Sequence, residues 1–376
     1  MIYLDNAATT FPKPREVTRA VWECLTRYCG NPGRGAHPLA LRTAEEIYTC
    51  RERLSALFCL GAPERILFTA GATASLNLLV HGYFQNGAHV LISELEHNAV
   101  LRPLAHRRAR GELSFDVFPV VGLDTTEILS GIRARLRPNT AAVLCTHASN
   151  VCSVTLPLAE IGTLCRAQKI RLFVDAAQSA GHLPIDMRAM HVDALAAPGH
   201  KSLYGIQGVG VLALGEGVEL TPLLQGGAGM ESESLEMPAL PPERYEAGTL
   251  PSPAIVALSA GVKFLQERGI EQMHATRCTL FDRAAERIAT LPNATLYAPS
   301  ARGSTLLFSL AGIPSTAVAT HLARQGICTR AGLHCAPLAH RALGTPEDGA
   351  VRLSFGAFNT TADLDALWSA LREGSF

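Results

Sequence analysis

The chain has 376 residues, and its 33 basic and 33 acidic side chains give a formal net charge of zero at pH 7. This balance argues against a dedicated nucleic-acid or membrane-binding surface. No apolar run reaches the length that a membrane-spanning helix needs. The length is sufficient for a large core and predicts two domains.

The ten cysteines contain no Cys-x-x-Cys pair, which argues against a zinc site, and we expect no other metal site. Cys50, Cys59 and Cys165 fall on apolar faces of predicted helices and are expected to be small core residues. The motif at 5–8 lies so close to the first residue that we expect no signal peptide. A reducing cytoplasm is therefore the predicted location.

From about residue 60 to residue 215, strand-like runs alternate with helical segments. This rhythm predicts an α/β fold with a mostly parallel sheet and crossover helices. The predicted strands cover residues 65–70, 90–92, 141–145, 171–175 and 209–213.

Residues 226–253 are rich in Gly, Glu and Pro and predict a long loop, which in a compact domain is usually functional. A helix is predicted near 254–268, followed by a smaller α+β region with strands at 305–309 and 351–354. We predict a large domain at 15–253 and a small domain built from 1–14 and 254–376.

Thr73 and Asp175 mark two candidate ligand contacts. The first strand leads into the small residues of 71–77, which allow backbone N–H groups and the Thr73 hydroxyl to approach an anion at a helix N-terminus. Asp175 ends the buried strand 171–175, and ligands of open α/β sheets bind at that end of the strands.

Lys201 is one of only four lysines, and it lies between a short apolar stretch and the glycine-rich 205–210. Lys13, Lys169 and Lys263 look ordinary. A lysine shielded from water has a lowered pKa and becomes a nucleophile toward carbonyl groups. A phosphate cradle, a buried carboxylate and such a lysine together indicate pyridoxal 5'-phosphate, with Asp175 on the pyridine nitrogen and Lys201 as the covalent attachment.

The chain resembles the fold-type-I, class V aminotransferase superfamily and, within it, the cysteine desulfurase and selenocysteine lyase family. The resemblance runs nearly end to end, and the order and spacing of its motifs make it specific. The motifs are Tyr3–Thr10, Gly71–Thr73, Glu96–Asn98, Ser149-Asn150, Asp175–Gln178, Gly199–Lys201, Glu246–Thr249, Arg330–Cys335 and Val351–Ser354.

The resemblance implies a fold-type-I transferase, with a seven-stranded type of sheet in its large domain, that works as a homodimer. His97 is implied to stack on the pyridine ring and to exchange protons there. Arg352 is implied to bind the substrate carboxylate, a task suited to a planar fork of donors. The other implied contacts are Gln178 and Asn150 at the phenolic oxygen, Ala72, Thr73 and His200 at the phosphate, Thr249 at the partner protomer's phosphate, and Arg330 with Asn150 at the substrate.

Pro198 departs from the family pattern. The family usually has a serine two residues before the histidine of the Gly-His-Lys motif, where its hydroxyl binds phosphate. Proline offers neither a hydroxyl nor an N–H. The remaining phosphate contacts must therefore suffice, and a weaker affinity for the cofactor is expected.

Cys335 decides the reaction that the resemblance implies. Its segment, 330–337, is bounded by glycine and proline and contains an arginine and a histidine, a setting that is electropositive and accessible. This is similar to desulfurases whose nucleophile lies on a short ordered loop. The implied reaction converts L-cysteine to L-alanine and leaves a persulfide on Cys335 for an acceptor protein or thiol, while Cys328 is the next candidate nucleophile.

Three other interpretations remain open at this point. A selenocysteine lyase would use the same site with L-selenocysteine. A class V aminotransferase would keep Lys201 but would have no use for Cys335. A non-catalytic scaffold for sulfur-transfer partners is disfavoured, because all the expected cofactor contacts except the one at Pro198 are present.

Overall fold

The computed structural model describes residues 1–33 and 35–374. The chain begins with strand β1 (Ile2–Tyr3), which pairs in parallel with β11 (Ile327–Cys328) far along the chain. Leu4 follows β1 and is fully buried in a core cluster that also contains Phe281 and Leu353. The N-terminal segment therefore packs with the C-terminal part of the chain.

A seven-stranded sheet forms the centre of the larger part of the molecule, in the order β2-β8-β7-β6-β5-β3-β4. Strand β8 runs antiparallel to both of its neighbours, and the other neighbouring pairs are parallel. The predicted mostly parallel sheet is confirmed. Its strands are β2 (Ile66–Thr69), β3 (Ala88–Ser93), β4 (Leu113–Phe118), β5 (Thr140–Thr146), β6 (Arg171–Asp175), β7 (Ala194–Pro198) and β8 (Gly210–Leu214).

Alternate residues of these strands face two separate hydrophobic layers. On β6, Leu172 and Val174 belong to one buried cluster, whereas Phe173 belongs to the other. Parallel sheets need such cover on both faces, and here helices provide it. These are α1 (Arg15–Glu23), α2 (Pro38–Leu57), α3 (Ala72–Gly82), α4 (Asn98–Ala109), α5 (Thr125–Arg133), α6 (Leu158–Ala167) and α7 (Ser252–Arg268), with a π-helical turn at Cys24–Tyr28 and a 3-10 turn at Pro63–Arg65.

The C-terminal part is a four-stranded antiparallel sheet in the order β12-β13-β10-β9. Its buried side chains include Phe308, Val351 and Leu353, which pack against helices. The strands are β9 (Ala294–Tyr297), β10 (Thr305–Leu310), β12 (Arg330–Gly332) and β13 (Ala350–Ser354), and the helices are α8 (Ile270–Ala289), α9 (Ser315–Arg324), α10 (Pro337–Leu343) and α11 (Thr361–Arg372).

Residues 226–251 form a long segment of turns and irregular chain, as predicted. Helix α7 then packs against α1 and α2 beside the large sheet. The domain boundaries after residues 14 and 253 stay a prediction. Across the described ranges, 1–33 and 35–374, the helices are all too short or too polar to cross a membrane.

The expected burial of the cysteines is right for Cys50 and Cys165 and wrong for Cys59. Cys59 is exposed and has a φ of 52°. It lies just beyond the last residue of α2, in the turn toward β2, so the helical face that predicts its burial has already ended.

Candidate active site

Asp175 and Lys201 lie at the carboxyl end of the parallel strands. Asp175 is the last residue of β6, and Lys201 follows the neighbouring β7 by three residues. Burial raises the pKa of Asp175, although the Ala177 N–H at 2.9 Å and the charge of Lys201 oppose the shift. Burial lowers the pKa of Lys201 to about 8, and Asp175 opposes that shift. The two side chains are therefore electrostatic partners in one enclosed site.

Lys13 lies beside this site, a position that the sequence does not reveal. Its Nζ donates to the carbonyl oxygen of His200 at 2.7 Å and to Oγ1 of Thr10 at 2.8 Å. Burial lowers the pKa of Lys13 to about 8. The expectation that Lys13 is an ordinary lysine is therefore wrong, because its flanking prolines give no sign of burial against the Lys201 loop.

His97 is the N-cap of helix α4, and its Nδ1 accepts the N–H of Ala99 at 3.0 Å. Burial, followed by the charge of Lys201, lowers the pKa of His97 to about 4. The ring is therefore neutral near pH 7, with its proton on Nε2. A neutral, half-buried imidazole beside Lys201 is suited to stacking on a flat ligand.

The first turn of α3 forms an open cradle. Gly71 precedes the helix with a φ of 141°, and a Cβ built there meets no heavy atom within 4 Å. A Cβ on Gly210, by contrast, would lie 2.4 Å from the carbonyl carbon of Gly71, so only glycine allows this close approach. Ala72 is half-buried and Thr73 is exposed at the same helix end, where backbone N–H groups favour an anion.

Two buried polar atoms near Lys201 have no partner within the described protein. They are Nδ1 of His200 and Oε1 of Gln178. The other amide atom of Gln178 is fixed, because Nε2 donates to the Ala7 carbonyl at 2.9 Å. A polar ligand would satisfy both atoms. With the open cradle and Asp175, this set fits the phosphate, phenol and ring nitrogen of pyridoxal phosphate.

Pro198 is the last residue of β7 and is buried. Its place in the strand is opposite Gly210 of β8. The turn that follows is held by the Gly199 N–H, which donates to the carbonyl of Val209 at 2.9 Å. Pro198 therefore contributes to the strand and brings no side-chain donor to the cradle.

Two arginines lie opposite each other on neighbouring strands, Arg330 on β12 and Arg352 on β13. Arg352 is buried, and it donates from Nη1 to the Asn150 carbonyl at 2.9 Å and from Nη2 to Oδ1 of Asp5 at 2.8 Å. Its Nε is buried and has no hydrogen-bond partner among residues 1–33 and 35–374, and Arg330 is exposed. Two like charges in register are unfavourable, and Asp5 offsets only part of this pair, so the free Nε of Arg352 and the exposed Arg330 mark a candidate position for a further anion.

Cys335 lies three residues beyond β12 and is exposed. His334 and Cys335 have φ values of 49° and 56°, a left-handed conformation that costs about 1–2 kcal/mol per non-glycine residue. Hydrogen bonds offset this cost. The His334 carbonyl accepts from Nδ2 of Asn150, and the Cys335 carbonyl accepts from the Asn98 N–H, both at 2.7 Å. Since Asn98 follows His97, these bonds hold Cys335 against the same site.

Thr249 is not brought to this site within the chain. It is exposed on the rim of a cleft of about 1000 Å³ lined largely by 225–250, which contains none of the other predicted site residues. The preceding Glu246 is buried and accepts from Nη2 of Arg51 and from the Phe68 N–H, each at 2.6 Å. Glu246 thus anchors the segment to β2 and leaves Thr249 facing outward.

Known proteins resemble this chain along almost its full length. The family described as Aminotransferase class-V matches residues 2–367. The chain belongs to the class V aminotransferases. A probable cysteine desulfurase of Methanothermobacter thermautotrophicus is 31% identical over 99% of this chain and 94% of its own length. Another, of Mycolicibacterium paratuberculosis, is 32% identical, and the chain spans 55% of that protein's length.

Solved structures agree with this class V membership. The crystal structure of the Escherichia coli cysteine desulfurase CsdA matches with a TM-score of 0.88 at 28% identity, covering 98% of this chain and 93% of that one. The apo structure of the Thermococcus onnurineus cysteine desulfurase matches with a TM-score of 0.89 at 28% identity, covering 99% and 94%. The predicted membership in the cysteine desulfurase family and the predicted fold-type-I architecture are confirmed.

Proposed function

We propose that this chain is a pyridoxal-phosphate-dependent cysteine desulfurase that converts L-cysteine to L-alanine and retains the sulfur as a persulfide on Cys335. The anchoring of Cys335 carries the proposal. Asn98 and Asn150 bind the two carbonyls around it while its thiol stays exposed. These two bonds join the Cys335 turn to Asn98, the neighbour of His97, and to Asn150, whose carbonyl accepts from Arg352.

The described residues supply contacts for the ring, the phenolic oxygen and the phosphate of the cofactor, without a side-chain donor at Pro198. When bound, pyridoxal phosphate joins the substrate amine and withdraws electrons from the α-carbon. Asp175 would hold the ring nitrogen, and His97 would cover a face of the ring. The polar edge of the cofactor would meet Gln178, Asn150, His200, Ala72 and Thr73.

Lys201 moves the proton and the arginines hold the substrate. With its pKa lowered to about 8, Lys201 is partly a free amine near neutral pH and can take the α-proton and return one. The unpartnered Nε of Arg352 and the exposed Arg330 bind the substrate carboxylate. The neutral His97 can donate a proton from Nε2 on the ring face.

Sulfur transfer is a displacement at the substrate sulfur. Sγ of Cys335, as thiolate, forms the new S–S bond, and the Cβ–S bond of the substrate breaks with its electron pair passing to the carbon side. A proton on Cβ completes L-alanine, and Cys335 carries the persulfide. The exposure of Cys335 leaves this sulfur open to an acceptor protein or thiol.

Replacing Cys335 tests the proposal. Cys335→Ser should still bind L-cysteine, seen as a change in cofactor absorbance, because Arg352 and Lys201 are intact. Alanine and persulfide should fall by roughly 10²- to 10⁴-fold, and alkylation with mass spectrometry should find the persulfide of the wild type on Cys335. Cys328→Ser is the matched control, half-buried on β11. Wild-type alanine production by Cys335→Ser would refute the assignment.

Two other reactions are distinguished by the same protein. L-selenocysteine would occupy the same contacts, and its turnover by Cys335→Ser would show that only the sulfur-accepting step needs the thiol. A stoichiometric exchange of amine with an oxo acid would instead identify an aminotransferase, in which the hydrogen-bonded placement of Cys335 has no purpose.

A homodimer is proposed from the segment 223–250. It displays Thr249 and several exposed apolar side chains around Glu246, which anchors it. A second copy would cover these side chains and bring Thr249 to the partner's phosphate. Leu235→Glu should shift the sedimentation of the protein from dimer to monomer, while Phe358→Ser, exposed outside this segment, should not. The exposed apolar residues are Leu223, Leu224, Met230, Leu235 and Leu240.

A cytoplasmic location is proposed as well. All ten cysteines are free thiols. A reducing compartment preserves such thiols, including the nucleophile. Cys335 in protein isolated from the cytoplasm should therefore be reduced or persulfidated rather than joined in a disulfide.

A further inference from the structure

A line of three hydrogen bonds runs from helix α10 toward Cys335. Oγ1 of Thr345 lies 2.9 Å from Nδ1 of His340. Nε2 of His340 lies 3.0 Å from Nδ1 of His334. Nε2 of His334 lies 3.3 Å from the carbonyl oxygen of Arg330. The line therefore ends at the Arg330 carbonyl and passes through His334, the residue immediately before Cys335.

The Arg330 carbonyl at the end of the line determines which ring nitrogens donate and which accept. A carbonyl oxygen accepts only, so Nε2 of His334 carries the proton and donates to Arg330. A neutral His334 then has a bare Nδ1, which must accept from Nε2–H of His340. That leaves Nδ1 of His340 to accept the Thr345 hydroxyl, whose other acceptors are carbonyls at 3.4 Å. Each ring is therefore held in the Nε2–H tautomer.

The geometry of the rings agrees with this assignment. Their planes differ by 12° and their centroids are 5.2 Å apart. With the two nitrogens only 3.0 Å apart, the rings meet edge to edge in one plane rather than face to face. This is the arrangement of a linear N–H···N bond.

Both histidine rings are buried in surroundings that disfavour the charged, doubly protonated form. His334 is 6% exposed and His340 is 2% exposed. Burial, and then the charge of Arg352, lowers the pKa of His334 to about 3 and that of His340 to about 4. The ionisable groups facing His334 are Arg352 on β13, Arg330 on β12 and His340 on α10, and none of them is an acid.

We propose that His340, backed by Thr345, is a positioning residue for persulfide formation, which fixes His334 in one tautomer and thereby holds Cys335 in its left-handed conformation. This rests on the proposed role of Cys335 as the nucleophile. His334 makes hydrogen bonds both through its ring and through its backbone carbonyl. Its ring is tied to Arg330 and His340, and its carbonyl is tied to Asn150. Loss of the ring bond would release the backbone at the residue that must present its sulfur.

The positive charge beside His334 therefore comes from Arg352 and Arg330 rather than from a histidine. His334 accepts at Nδ1 and donates at Nε2 to a carbonyl, so it neither carries a charge nor passes a proton to the thiol. The sequence alone suggests the opposite, because a histidine next to a cysteine indicates an electropositive partner.

Nitrogen-15 spectra of the histidine-labelled holoenzyme test the tautomers directly. His334 and His340 should each show a protonated Nε2 and a bare Nδ1, unchanged between about pH 5.5 and about pH 8.5. The spectra of His340→Gln and Thr345→Val assign the two signals. A protonated Nδ1 on either ring, or a charged ring within that range, would overturn the proposal.

Kinetics test the positioning role. His340→Leu should slow single-turnover persulfide formation by roughly 10- to 100-fold and leave the KM for L-cysteine unchanged, because the carboxylate contacts are intact. His340→Gln keeps an N–H near the position of Nε2 and should restore most of the rate. His321→Leu, which removes a half-buried histidine bound to the Ala370 carbonyl, is the matched control and should stay at the wild-type rate.

The outcomes separate this inference from the function on which it rests. Wild-type rates in Cys335→Ser refute the nucleophile itself. A dead Cys335→Ser with a wild-type His340→Leu refutes only the positioning role. Equal loss in His340→Leu and His340→Gln also refutes it, because the donated hydrogen bond would then not be what matters.

Discussion

Asp175 ends a strand of the large sheet and Cys335 follows a strand of the small one, and the two regions hold them by different means. Asp175 closes a buried strand of the seven-stranded sheet, and its neighbours along the chain, including Ala177, define its surroundings. Cys335 lies outside the four-stranded sheet on a strained turn. It is held by Asn98 and Asn150, which are distant in sequence.

The cofactor-binding residues around Asp175 therefore form a rigid site, whereas the nucleophile Cys335 lies on a turn whose position depends on a few contacts. The residues around Asp175 are fixed by the strand ladder and need little additional support. The turn at Cys335 depends on a few hydrogen bonds, so single substitutions far from it in sequence can move it. Changes in the large sheet should therefore abolish chemistry, whereas changes around the small sheet should affect how the sulfur is placed.

The largest effect is expected at Lys201. Lys201→Ala should abolish both turnover and the covalent link that borohydride traps, because no other amine among the described residues of the site combines a lowered pKa with a carboxylate partner. Peptide mapping after reduction should find the cofactor on Lys201 in the wild type. Circular dichroism should show that the variant still folds.

Lys13→Met is the control for that prediction. Lys13 also has a pKa lowered to about 8, but its Nζ is committed to Thr10 and to the His200 carbonyl. The variant should keep the covalent link on Lys201 and lose activity only through a looser loop. A reduced cofactor found on Lys13, Lys169 or Lys263 would show that the attachment site is wrong.

A smaller loss is expected from Asp175→Asn. The amide keeps the shape of the side chain but cannot hold a protonated ring nitrogen, so the α-proton is removed more slowly. The rate should fall by roughly 10²- to 10³-fold, with the cofactor still bound. Stopped-flow absorbance after mixing with L-cysteine measures the step. A loss below tenfold would mean that the carboxylate does not tune the cofactor.

Arg352→Lys should have a moderate effect that falls mainly on KM. A lysine is a point charge and cannot keep the contacts to Asp5 and Asn150 while also binding a carboxylate. The KM for L-cysteine should rise by roughly 10- to 100-fold with a smaller change in kcat. Arg330→Lys is the exposed counterpart and should raise KM less. A larger effect at Arg330 would make it the main carboxylate contact.

The sequence predicts the large sheet and its lysine and carboxylate because each signal is local. The strand 171–175 is an apolar run closed by one acid, and 210–214 appears within one residue of its predicted place. The contributions of Asp5, Lys13 and His340 were not predicted. Each depends on contacts between segments far apart in sequence, such as Asp5 with Arg352. The periodicity and spacing of residues along the chain do not indicate such contacts.

The smallest effect is a change in the titration of Lys201, and it tests the electrostatics of the site most directly. Competitive acylation of the cofactor-free protein should give Lys201 a midpoint near the pKa of about 8, against about 10.4 in a model peptide. Because the folded pKa is lowered, the folded state binds fewer protons than the unfolded one between these values, so Lys201 makes stability rise with pH across that window.

Asp175→Asn removes a charge that raises the pKa of Lys201 and should move the midpoint lower, whereas Arg352→Gln should move it higher. Lys13 is the internal control, since burial alone lowers its pKa, and its midpoint should not follow either variant. A midpoint for Lys201 that does not change in Asp175→Asn would mean that the two groups do not interact, and the paired site would have to be abandoned.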